Sequence, residues 1–418
     1  MPILQELFMQ IGTLFLQPLF YIGILLLVLQ YRRQIQLERK LFSARIHSLS
    51  QEVILSLAYG FLGGVIASAF MVGLGVVFQP NGMWLLWLIT GILTLFHIRF
   101  LCLSYSTGIL GLLVSMIQLF PSPNSSFLQP IWIELKSIHV PSLIAIVAIL
   151  HLVEGILIRL QAGKQATPLF VETKRGKLIG GYSIQSFWLA PLFLLVATGD
   201  VTMNSVQIGS WWPIFGAATT FSLFPVPVLI GYSELTTVYS PYKKSKISAN
   251  YLIIYSTLLL VMAFLAERWA PFQFIASIFA GLAHEGIHLW GKRKERALPP
   301  LYVHPTDGLK ILAVIPNSPA DRMGVKAGEV IKKVNGMQVT TRTELYDALQ
   351  LQPAFTKLEV INEAGHVKLV QHSLYAGDHH QLGILLAPDD KAPYYIEVKD
   401  TNLLQLLKQK VTKVSRSA

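Results

Sequence analysis

Charge is scarce in this sequence: 14% of its 418 residues are Asp, Glu, Lys or Arg, against roughly 25% in soluble globular chains. Mean hydropathy is +0.52. That scarcity excludes a wholly water-soluble protein and points to a membrane protein. Cysteine is nearly absent. A single Cys102 excludes an intramolecular disulfide, so nothing argues for an oxidising compartment. The opening MPILQELFMQ lacks the basic segment of a cleavable signal peptide, and the first apolar run passes into a basic stretch as an anchor would. Also missing is a basic face interleaved with aromatics. The net charge of +11 therefore reads as the positive-inside bias of a membrane protein, and nucleic-acid binding is not expected.

What is present is apolar length. A crossing helix needs about 20 mostly apolar residues. Runs near 12–31, 54–78, 83–97, 101–120, 141–160, 185–199, 213–233, 251–266 and 271–291 suggest an α-helical polytopic bundle of about nine spans. A count of about seven follows if the crowded third and fourth runs form one re-entrant hairpin and the short sixth is discounted. Basic residues collect in alternate loops, at 32–45, 159–177, 243–246 and 292–296, with Arg99. The intervening loops hold only Lys136 and Arg268. The positive-inside rule then places the N-terminus outside and the C-terminal region in the cytoplasm. Glycines in YGFLGGVIASAFMVGLGVV (59–77) provide a face on which neighbours approach closely.

After Lys292 the composition turns polar. Asn335-Gly336 between VIKKV and MQV predicts a type I′ hairpin. Thr341-x-x-Glu344 predicts a capping box opening a helix to about Leu351, which Pro353 ends. A second hairpin turns at Glu363–Gly365, and HHQLGILLA (379–387) reads as a last strand. The series Leu309–Val314, Ser318-Pro319-Ala320, Gly324-Val325-Lys326-Ala327-Gly328-Glu329 and Val330–Val334 resembles a bacterial PDZ domain of the kind carried by HtrA-type proteases. That resemblance implies an α+β domain that takes a partner's peptide or C-terminal segment as an added strand. The carboxylate-loop character sits in the last strand, so the domain is expected to be circularly permuted. Leu382, Gly383, Ile384 and Leu385 would edge the groove, and Leu345, Ala348 and Leu349 would form its helical wall; the alternative is that these apolar residues fill the core, as half of them must. The expected division is a transmembrane domain over 1–291, a basic and proline-containing linker over 292–300, the PDZ domain over 301–390 and a tail over 391–418. In that tail Leu403, Leu407, Val411 and Val414 recur at helical spacing beside lysines, which allows either an amphipathic helix lying on anionic lipid or on a partner helix or a frayed polar terminus.

One motif competes with these readings. His284-Glu285-Gly286-Ile287-His288 is an H-E-x-x-H pattern, which on a helix places two imidazoles one turn apart beside a carboxylate. It allows an intramembrane zinc metalloprotease with Glu285 as general base and a Zn ion held by His284, His288 and Glu154. It also allows a non-catalytic metal site or a packed polar cluster. A catalytic zinc needs three protein ligands, and no later apolar run follows residue 291 to supply one. A transporter would show paired broken helices and repeated halves, and no repeat is evident.

The whole-chain layout, with FLQPLFYIGILLLVLQYRRQIQLERKLF (15–42), a multi-span bundle and one C-terminal PDZ domain, resembles the MinJ-type cell-division topology proteins of Bacillus-like bacteria. The resemblance implies a membrane scaffold of the Min system, without enzymatic activity or cofactor. It would sit at septum and poles and link a polar coiled-coil DivIVA-like protein to a MinD-like ATPase and other division proteins. Basic loops would favour anionic lipid.

Overall fold

The computed structural model describes residues 10–80, 83–173, 175–197, 211–216, 221–374, 382–389, 392, 394–396 and 414–416. Its N-terminal half is mainly helical. Helix α1 (Gln10–Leu16) meets α2 (Pro18–Phe42) at a 62° bend, where Pro18 opens α2. Proline suits a first turn, because the amide it lacks has no helical partner there. Then come α3 (Leu49–Leu74), α4 (Met83–Phe96), α5 (Leu103–Ile117), α6 (Gln129–Ser137), α7 (Val140–Leu160), α8 (Pro241–Arg268) and α9 (Pro271–Ala297). Among the described residues three helices are long and apolar enough to cross a membrane, Leu49–Leu74, Val140–Lys164 and Pro241–Arg268, or four if the bent α1–α2 pair is one span. Leu19, Ile22, Leu25 and Leu29 on α2 stand exposed, as a lipid-facing surface requires.

Two expected spans are not helices. The runs at 185–199 and 213–233 fall largely on strands. The half contains β1 (Val77–Phe78), β2 (Ala166–Glu172), β3 (Leu178–Ala197) and β4 (Phe221–Thr236). Strands β3 and β4 pair antiparallel from Tyr182↔Thr236 to Ala197↔Phe221. The expected nine helical spans therefore do not stand. The physical reason lies in Pro191, Pro225 and Pro227, each of which would break a helix interior at about 3 kcal/mol. Pro191 and Pro227 instead face each other across the hairpin.

The glycine face of α3 packs largely on this hairpin. A Cβ on Gly60 would lie 2.3 Å from the Leu189 carbonyl oxygen, and one on Gly64 would lie 2.5 Å from that of Pro191. Gly63 turns to Leu157 and Val153 of α7. The Phe193 amide donates to Ser68 Oγ at 2.9 Å, so α3 also satisfies a strand amide.

The C-terminal half is an α+β domain. Strand β5 (Leu309–Val314) leads through α10 (Pro319–Arg322) to β6 (Val330–Val334) and β7 (Met337–Gln338), then α11 (Arg342–Gln350), β8 (Phe355–Ile361), β9 (Val367–Ser373) and β10 (Ile384–Leu386). The sheet order is β10-β5-β6-β8-β9, with β7 on β6. Asn335 and Gly336 take φ of 51° and 87° in the predicted turn. The capping box of Thr341 and Glu344 is complete. Leu309, Ile311, Val325, Ile331, Val334 and Leu358 fill the core.

The two halves are joined closely. Helix α9 runs through most of the stretch expected as a linker (292–300) and ends at Ala297. Tyr302 is buried, and its carbonyl accepts from the Gly180 amide at 2.9 Å. The tail returns to the first sheet: β11 (Tyr394–Ile396) lies parallel to β2 through Ile396↔Val171, and β12 (Val414–Arg416) pairs with β11. Val414 is thus in a strand where an amphipathic helix was expected; Leu403, Leu407 and Val411 lie outside the described residues.

Candidate functional site

Among the described residues strand β10 is one edge of the C-terminal sheet, β9 being the other. On one side it pairs antiparallel with β5, through Ile384↔Val314 and Leu385↔Ala313. On the other it faces a cleft of about 900 Å3 whose far wall is α11. Leu382, Gly383, Ile384, Leu385, Leu345 and Leu349 all line this cleft. Ala348 does not. It is fully buried in the domain core, because its position on α11 points it at the sheet. An edge strand opposite an apolar helix face can accept one more strand, with unpaired backbone groups giving affinity and side-chain pockets giving selectivity.

Backbone contacts set the geometry at Gly383. It sits at φ 81°, a conformation that favours glycine. Its carbonyl accepts from the Ile315 amide at 2.8 Å, and the Leu382 carbonyl from the Ala320 amide at 3.0 Å. A Cβ there would lie 2.1 Å from that of Ser318. His304 braces the strand's far end: its Nε2 donates to the Ala387 carbonyl at 2.8 Å, and Nδ1 accepts from the Lys310 amide at 3.0 Å.

Sequence reasoning missed a third wall. Leu41, Phe42, Ser43, Ala44 and Phe170 from the N-terminal half close the cleft, and Arg342 and Tyr346 of α11 join its lining. Arg342 and Tyr346 flank Leu345 and were within reach of a helical-face argument. No local signal marks residues 41–44, whose contact is tertiary.

A buried polar network holds that wall. Glu38 is fully buried, with Oε1 2.5 Å from His47 Nδ1 and Oε2 accepting from the amides of Ile46 and His47 at 3.0 and 3.1 Å. Gln34 Nε2 donates to Thr167 Oγ1 at 2.7 Å, and Thr167 Oγ1 to Glu38 Oε1 at 3.2 Å. Burial pushes the His47 imidazole down. Its hydrogen bond to Glu38, that carboxylate's charge and the charge of Glu52 together outweigh burial, so it titrates above its ordinary value. The network fixes the turn 43–48 beside the cleft.

The H-E-x-x-H segment lies on α9. Glu285 is occupied: Arg99 Nη2 pairs with its Oε1 at 3.0 Å, and the Tyr105 hydroxyl donates to its Oε2 at 2.8 Å. The set His284, His288 and Glu154 is not assembled. Among the described residues His284 Nε2 instead gathers with Cys102 Sγ and His151 Nε2, all within 4.8 Å of one another. His284 and His288 share a helix face, but the partners of His284 come from α7 and from the residue just before α5, which the motif cannot specify.

The family model described as a PDZ domain matches residues 310–361. The curated cell division topological determinant MinJ of Bacillus subtilis is 28% identical over 389 residues, covering 92% of this chain and 96% of that protein. A probable cell division topological determinant MinJ of Lacticaseibacillus paracasei is 23% identical over 259 residues, or 61% of this chain and 68% of that one. Among solved structures, the PDZ domain of the SdrC-like protein from Listeria monocytogenes is 17% identical with a TM-score of 0.17, covering 20% of this chain and 90% of that one. The chain is similar to Bacillus subtilis MinJ along 92% of its length and carries a PDZ domain at its C-terminal end.

Proposed function

We propose that this protein is a multi-pass membrane scaffold of division-site placement whose PDZ cleft takes a peptide or C-terminal segment of a partner as an added strand. The observation that carries the reading is the edge strand β10 facing the apolar wall of Leu345 and Leu349. The position of β10, the last strand of its sheet in sequence but beside β5, the first, supports a circularly permuted arrangement. The similarity to MinJ supports the division context. In this reading the chain links a DivIVA-like coiled-coil protein to a MinD-like ATPase at septum and poles. The N-terminus faces outward and the PDZ domain the cytoplasm, as the basic loops favour. The bundle confines the protein to the membrane plane, where several weak contacts gain strength through effective concentration. No step of this role needs catalysis or a cofactor.

The test is a cleft variant, Leu349→Arg, in the full chain expressed as the sole copy in its host. The charge should block the added strand without disturbing the core, because Leu349 is only partly buried. The expected result is normal membrane level with lost recruitment of the MinD-like ATPase and misplaced septa. Unchanged recruitment and septum position at equal levels would remove the cleft from the account.

A further inference from the structure

Three side chains far apart in sequence meet inside the helical bundle. Cys102 precedes α5, His151 lies midway along α7 and His284 lies on α9. Cys102 Sγ is 3.1 Å from His151 Nε2 and 3.7 Å from His284 Nε2. A tetrahedral zinc with S at about 2.3 Å and N at about 2.0–2.1 Å separates such donors by roughly 3.3–3.6 Å. The observed spacings bracket that range.

The tautomers fit as well. His151 Nδ1 lies 2.8 Å from the Val147 carbonyl, and a carbonyl only accepts, so Nδ1 carries the proton. The lone pair is then on Nε2, directed at the sulphur. A ligating histidine is usually oriented in this way, its second ring nitrogen donating to a backbone carbonyl. The His284 ring is packed edge-on against Tyr105, His151 and Tyr255, at 5.1, 5.2 and 5.6 Å. Its Nδ1 is buried with no hydrogen-bond partner among the described residues. The ring is thus held by packing, with Nε2 turned to the other two donors. Tyr255 is itself anchored by donating to the Ala280 carbonyl at 2.8 Å, which fixes α8 against α9 beside the cluster.

We propose that Cys102, His151 and His284 form a binding site for a borderline-soft divalent transition metal ion of the zinc class, stapling α5, α7 and α9 together. On binding, the Cys102 thiol releases its proton to solvent and the ion takes the thiolate and two neutral imidazole nitrogens. Three protein donors leave a fourth position for water or an added ligand. A thiolate with two imidazoles selects zinc-class and copper-class ions over magnesium or calcium, which prefer oxygen donors. This donor set shares only His284 with the H-E-x-x-H reading. It uses neither Glu285 nor His288, and it does not depend on the scaffold role.

The full-length protein, purified in detergent and stripped with a chelator, is titrated with Co2+ and then Zn2+. The expected result is a thiolate-to-cobalt charge-transfer band at one ion per chain, displaced by Zn2+. Cys102→Ser abolishes the band. His284→Gln weakens Zn2+ affinity by about tenfold or more, while Glu285→Gln and His288→Gln keep both. Because Cys102 is the sole thiol, its alkylation rate reads the same site in the unmutated chain, and Zn2+ should slow it while Mg2+ does not. An absent band, a band that persists in Cys102→Ser, or an alkylation rate indifferent to Zn2+ would overturn the proposal.

Discussion

The hydroxyl of Tyr182, on β3 of the first sheet, donates to the Leu312 carbonyl in β5 of the PDZ domain. Beside it the rings of Tyr182 and Tyr302 meet edge-on at 5.3 Å, and Leu312 and Ala313 pack into the large N-terminal core. The PDZ domain is therefore docked on the bundle, so the orientation of its cleft is a property of the whole chain.

Tyr182→Phe should loosen that docking. It leaves the buried Leu312 carbonyl without its donor, at a cost of about 1–3 kcal/mol. Gly180→Leu should do more, because a Cβ there would stand 2.7 Å from that of Tyr302. Hydrogen exchange over 300–315 checks both: exchange rises in each variant and rises further in Gly180→Leu. Unchanged protection in Gly180→Leu would mean that the contact does not orient the domain.

The turn bordering the cleft should respond to pH through His47. Its pKa in the folded protein is raised above the ordinary histidine value, near 6.5 in unfolded chains. The sign follows: the stabilisation is complete below about pH 6.5 and fades as pH rises through the raised value. Amide exchange of residues 43–48, corrected for its intrinsic pH dependence, should accelerate over that window. His47→Gln should flatten the response. A wild-type profile as flat as the variant's would break the link between His47 and the turn.

Close packing of α3 on β3 makes a sharper contrast between two glycines of one helix. Gly64→Val drives a side chain into the Pro191 backbone, and overpacking of this kind costs about 1–3 kcal/mol or more. Gly73→Ala meets nothing within 4 Å, and replacing a helical glycine gains up to about 1 kcal/mol. Thermal unfolding in detergent should move down for the first variant and stay or rise for the second. Equal midpoints would contradict the tight helix-on-strand contact.

The PDZ domain was legible because its signals are local. Asn335-Gly336 dictates one turn, Thr341 and Glu344 close one capping box, and Leu382–Leu385 reads as an edge strand by its resemblance. The bundle was less legible. An apolar run of about 16–20 residues looks alike as a buried strand or a helix, and the signal that separates them, Pro191 with Pro225 and Pro227, is one that hydropathy does not register. The histidine cluster was half visible. His151 and His284 could be suspected as intramembrane polar groups, but Cys102 joins His284 across 182 residues of sequence, and no spacing rule reaches that far. Ala348 was misplaced for a plainer reason: helical periodicity says which residues share a face, and only the packing says whether that face meets the core or the cleft.

Glu285→Gln tests the H-E-x-x-H motif most directly. Its carboxylate is held by Arg99 and Tyr105 and is about a quarter exposed, at 23%. The amide keeps a carbonyl oxygen to accept from Tyr105 and loses only the charge facing Arg99. A partly exposed pair of this kind contributes about 0–1 kcal/mol, so the variant should fold, reach the membrane at wild-type level and place septa normally. A general base would behave otherwise, because removing its charge ends proton abstraction whatever the fold does. Septum position and cell length, scored with Glu285→Gln as the sole copy, separate the two: normal division leaves Glu285 as one member of an ion pair, whereas failure by a folded, correctly located variant would restore it as a catalytic group.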